Sequence, residues 1–154
     1  MVLYLVQHAE AKSKDEDPSR DLTEKGRMDI ESVAHHLKRL KASVNRILHS
    51  GKTRALTTAA IMAEHLQPPS GVEEVPGLAP LDAPRAIYDR IAATEEDLMV
   101  VGHLPHLARL AALLMCGDQE KDVVHFQMGG AVRLRLISEK QWVVEWIILP
   151  ETIL

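Results

Sequence analysis

The chain has 154 residues, 46% hydrophobic and 26% charged, which suits one domain, 1–154, with a core large enough to stand alone. A net charge of −4 and a pI near 6.0 argue against nucleic acid as a partner, and aromatics at 3% disfavour stacking on bases or sugars. A small anionic ligand stays open if arginines cluster locally.

The elements follow in order. Val2 to Val6 is an apolar run that reads as a buried strand and breaks off into Gln7-His8-Ala9-Glu10. It is too short for a secretory h-region and has no basic n-region before it. The segment Lys12 to Asp21 has no apolar period and one proline, so it reads as a surface loop, with Arg20 held just before a helix start. Thr23 is the expected N-cap of that helix, whose Met28, Ile30, Val33, Ala34, Leu37 and Leu40 recur at helical spacing. A second strand, Arg46 to His49, runs through Ser50-Gly51-Lys52-Thr53-Arg54 into a helix stopped by Pro68-Pro69. The Gly-Lys-Thr triplet is not a nucleotide loop, because the phosphate-loop pattern needs a glycine where this chain has Arg46.

A third short strand covers Gly71 to Val75, and Asp82 is the expected N-cap of a helix with Pro84 in its first turn and Ile87 and Ile91 inward. The fourth strand, Leu98 to Val101, delivers Gly102-His103, and Leu107 to Met115 reads as an apolar helix. The single Cys116 excludes an internal disulfide and, beside Leu113 and Leu114, is expected to be a buried reduced thiol in a cytoplasmic protein. Ala131 to Ile137 alternates at period two, turns at Ser138 to Gln141 and returns as Trp142 to Leu149, a hairpin. No apolar window approaches the roughly 20 residues that span a bilayer, so no membrane role is expected. The pattern predicts a three-layer α/β/α sandwich, its sheet mainly parallel with an antiparallel C-terminal hairpin.

In such sheets the ligand crevice lies beyond the carboxyl ends of the strands. His8 and His103 each follow an apolar strand directly, and Arg54 opens the helix after a third strand end, where free backbone N–H groups favour an anion. With Arg20 nearby, the four point to one shared oxyanion site. His35, His36 and His65 lie on helices and His125 in a loop, and none is assigned a role. A metal site built from His8, Glu10, His103 and His106 lacks a recognised ligand spacing.

These motifs resemble the histidine phosphatase superfamily, phosphoglycerate mutase-like in fold, and most closely its small SixA-type phosphohistidine phosphatases. Gln7-His8-Ala9-Glu10 stands where that family has Arg-His-Gly-Glu, and Arg20 precedes a matching Leu22-Thr23-Glu24-Lys25-Gly26. Ser50, Arg54 and the late Gly102-His103 complete the match in order along the chain. The resemblance implies phosphoryl transfer through a phosphohistidine on His8, with Gln7, Arg20, Arg54 and His103 holding the phosphoryl oxygens. His103 is expected to serve best when protonated. No metal or cofactor is implied, and the short chain suits a phosphorylated protein substrate. Asp15, Glu16, Asp17 and Asp82 are the candidate proton donors. Because Gln7 replaces the family arginine, the alternative is a slow or non-catalytic phosphoprotein-binding member of the same fold.

Overall fold

A computed structural model describes residues 1–153. It contains β1 (Val2–Gln7), α1 (Glu24–Arg39), β2 (Arg46–His49), α2 (Thr53–Leu66), β3 (Val72–Glu74), α3 (Arg85–Ala92), β4 (Leu98–Gly102), α4 (His106–Cys116), β5 (Ala131–Ser138) and β6 (Gln141–Ile148). The six strands form one sheet in the order β3-β2-β4-β1-β5-β6. The first four of these run parallel, while β5 is antiparallel to β1 and β6 to β5. The sandwich and its hairpin match the sequence reading.

Alternation along β1 shows why the layers form. Val2, Tyr4 and Val6 face a core shared with α1 and α2, whereas Leu3 and Leu5 face a second core shared with α3 and α4. Both faces of the central strands are covered, so β1 and β4 are near-continuous apolar runs. The carboxyl ends of β1, β2 and β4 are left to carry polar residues.

Thr23 caps α1 as expected, its side chain accepting from the Gly26 N–H at 3.0 Å. Gly26 is required at that turn, since a Cβ there would collide with the Glu10 carbonyl oxygen. Four readings need correction. Met28 is 64% exposed, because the inward stripe of α1 is Gly26, Ile30, Val33, Ala34 and Leu37, and a residue two positions from Ile30 points nearly opposite it. Leu40 is exposed because it lies past the last helical turn, as the C-cap. Asp82 does not cap α3, which starts at Arg85; its carboxylate instead accepts from the Ala79 N–H at 2.9 Å and closes the preceding turn. Cys116 is exposed, the last residue of α4 before the left-handed Gly117 turns the chain away.

Candidate active site

Topology alone places the two histidines side by side. Gln7 of β1 pairs with Gly102 of β4, so His8 and His103 are the next residue on adjacent parallel strands. The His8 N–H donates to the Gly102 carbonyl at 3.0 Å, and the two ring centroids are 5.1 Å apart. On the other side of β4 lies β2, whose His49 pairs with Val101 and whose next residue is Ser50. Ser50 Oγ sits 2.6 Å from His103 Nε2.

The protonation of His8 follows from its partner. Its Nδ1 is 2.7 Å from the Ala9 carbonyl oxygen, which can only accept, so Nδ1 carries the hydrogen and Nε2 keeps its lone pair. Burial, then the charges of Arg54 and Arg20, hold His8 below the usual imidazole range despite the opposing effect of that hydrogen bond. His103 is displaced further. Its burial first, with the charges of His8, Arg54 and Lys52, brings it down to about 3. His103 is therefore neutral in the free protein at neutral pH, so the protonated form expected to serve best is not its resting state.

Arg54, in the first turn of α2, and Arg20, in the loop before α1, lie within each other's field. Burial and the Arg20 charge both lower Arg54 from its ordinary value. Among the described residues neither guanidinium forms an ion pair. Arg20 is steadied by donating from Nε to the Lys12 carbonyl at 3.0 Å, and its backbone takes φ 53°, a left-handed conformation that costs of order 1–3 kcal/mol for a non-glycine residue. The Arg54 Nε and the His103 Nδ1 are buried with no hydrogen-bond partner, and so is Gln7 Oε1. Two uncompensated cations with two orphaned nitrogens beside them form a place for an oxyanion.

The family model for the histidine phosphatase superfamily (branch 1) matches residues 3–86, more than half of the chain. The chain belongs to that superfamily. No curated protein sequence matches it significantly. Among solved structures it is similar to the protein histidine phosphatase SixA complexed with tungstate, at 25% identity, 99% of each chain covered and a TM-score of 0.87. A candidate phosphohistidine phosphatase SixA from Agrobacterium tumefaciens gives 22% identity, 97% of each chain and 0.78. The alpha-ribazole phosphatase from Shigella flexneri gives 17% identity, 97% of this chain and 96% of that one, and 0.77. The last two speak to the fold alone. Family and fold together support phosphatase activity.

In this member of the superfamily, several further residues hold the site in place. Thr58 Oγ1 accepts from the Ala9 N–H at 3.1 Å and donates to the Arg54 carbonyl at 2.8 Å, tying the end of β1 to α2. The signal for it was a polar residue on the buried face of α2, one turn after Arg54. Gly129 donates its N–H to the Gln7 carbonyl at 3.0 Å, and Thr23 Oγ1 donates to Glu10 Oε1 at 2.9 Å.

The other histidines stay outside. His49 Nδ1 accepts from the Gly51 N–H at 3.1 Å, and His65 Nε2 lies 2.6 Å from Glu31 Oε2 on a helix surface. His106 is fully buried at the start of α4. No group of three His, Cys, Asp or Glu that could hold a metal occurs among the described residues. Of the proposed proton donors, Glu16 and Asp17 bond within their own loop, to Ser13 and to Ser19 and Asp21, and Asp82 is committed to its turn. A cleft of about 630 Å³ opens beside the two histidines, bounded by Gln7 at the end of β1, Glu10 just beyond it and Leu104 after β4.

Proposed function

We propose that the protein is a phosphohistidine phosphatase acting on a phosphorylated protein in the cytoplasm, as one catalytic domain over residues 1–154. The observation that carries this reading is a histidine with a free Nε2 lone pair beside two arginines that no carboxylate neutralises. The substrate class comes from the likeness to the protein histidine phosphatase SixA.

In the first step His8 Nε2 attacks phosphorus in line, its bond to phosphorus forming as the substrate P–N bond breaks. The departing imidazole nitrogen takes up a proton and needs no strong acid, since imidazole is a good leaving group once protonated. Water then attacks the phosphoryl group on His8, releasing inorganic phosphate and restoring the imidazole. Charge gathers on the three equatorial oxygens in both steps. Arg20 and Arg54 supply the positive field there, and the orphaned Arg54 Nε–H gains its missing acceptor. His103, pinned by Ser50, is neutral in the free protein; a phosphoryl dianion beside it offsets the neighbouring cations and draws it toward protonation. Gln7 adds an amide contact in place of a charged one. The reaction so written calls for no metal or cofactor, because guanidinium groups neutralise the anion.

The second reading, a phosphoprotein-binding member with little turnover, rests on Gln7. Hydrolysis of a phosphohistidine protein and of a small phosphomonoester, measured for the native chain and for His8→Ala, separates the two. Catalysis predicts acid-labile phosphate on His8 after rapid quenching and none on the variant. Release of phosphate at equal rates from both proteins would overturn the reading.

A further inference from the structure

The cleft beside His8 differs in electrostatic character from the site it adjoins. Lys25 is the one cation on its wall, and its Nζ is held 2.6 Å from Asp29 Oδ2. The charges of Glu10 and Glu151, both also on that wall, act on the same ammonium. Three carboxylates thus face a single lysine. Gln7, on the cleft wall and next to His8 in the chain, is neutral and offers a buried oxygen with no partner. Leu104, Phe126 and Met128 give the remainder of the wall an apolar character.

The sign of the charge therefore differs between the two sides of the Gln7-His8 step. On one side stand Arg20 and Arg54 with no carboxylate partner, and on the other an excess of carboxylate. A ligand that fits both ends carries a phosphoryl anion followed by a cation on an apolar stem. Lysine and arginine side chains have that form, with methylenes for the apolar wall and a charged head for the carboxylates. An acidic segment, or a small phosphate with a second carboxylate, meets repulsion instead.

We propose that this cleft binds a lysine or arginine next to the phosphorylated residue of the substrate protein, and that Gln7 sets the preference by leaving the cleft without a second cation. The inference rests on the phosphatase reading above and specifies its substrate. An arginine at position 7 would offset part of the carboxylate excess on that wall. Glutamine keeps the cleft anionic while the oxyanion site retains Arg20 and Arg54.

Two phosphohistidine peptides, identical except for lysines or glutamates on either side of the phosphorylated residue, test it. At low salt the lysine peptide is expected to show about five- to tenfold higher kcat/KM, the scale of one or two partly exposed charge pairs. High salt should shrink that ratio. Glu151→Lys, on the outer wall, should reduce it to about twofold or less, by the same per-pair scale. Because the readout is a ratio between substrates, a general loss of activity in the variant cancels. Equal rates for the two peptides, or a ratio that Glu151→Lys leaves unchanged, overturn the proposal. If neither peptide is hydrolysed, the phosphatase reading fails separately. Equilibrium binding of both peptides to the His8→Ala protein then decides the cleft, tighter binding of the lysine peptide supporting it and equal binding refuting it.

Discussion

Acidifying the free protein from pH 7 to pH 5 should weaken its fold in a way traceable to one imidazole. His103 is 1% exposed and is brought down to about 3, chiefly by burial. Its unfolded value is near 6.5, so between these limits the unfolded chain binds a proton that the folded one refuses. Stability is thus fully present above the unfolded value and is lost as pH falls toward the folded one. The slope is about 1.4 kcal/mol per pH unit well below 6.5, which gives a loss of about 2 kcal/mol between pH 7 and pH 5. For a chain of this size that corresponds to a fall in Tm of about 4–8 °C. His8, His49 and His106 are displaced in the same direction and steepen the native profile. The assay is therefore a difference. Urea unfolding at the two pH values, for the native chain and for His103→Gln, should show the variant losing about 2 kcal/mol less over that interval. Identical pH slopes in the two proteins would refute the reasoning.

Three further substitutions probe the site and its support. Gln7→Arg restores a charge-assisted contact worth roughly 1.5–3 kcal/mol, so turnover of a small phosphomonoester should rise about ten- to a hundredfold; an unchanged or lower rate would show that the site has adapted around glutamine. Ser50→Ala removes the 2.6 Å contact that orients His103. It should lower kcat about fivefold to tenfold, the worth of one hydrogen bond, with KM little changed, and Ser50→Thr should recover part of the loss. Gly26→Ala drives a methyl group into the Glu10 carbonyl and should cost about 1–3 kcal/mol in urea unfolding, as overpacking does elsewhere.

The amino-acid sequence by itself determined the elements and most of their limits. Periodicity sorts apolar residues into strands and helices, Thr23 marks where α1 begins, and short apolar runs that end in histidine mark where polar chemistry leaves a sheet. These signals are local, and a few neighbouring residues suffice to express them. Asp82 was misread because two turns compete for one carboxylate within six residues, and Met28 because helical spacing counts apolar residues without saying which of two stripes is covered.

The tertiary structure alone decided what those residues can do. The neighbouring positions of β1 and β4 bring residues 95 apart in sequence to a ring separation of 5.1 Å, and no local pattern encodes that pairing. The free lone pair of His8 depends on where the Ala9 carbonyl points, and the neutrality of His103 on burial and on charges from two other segments. The cleft is assembled from pieces around residues 7–10, 25–29, 104, 126–128 and 150–151, so its carboxylate excess is invisible until they meet. Secondary structure follows from near neighbours, whereas a proton's affinity and a pocket's charge are sums over everything packed within several ångströms.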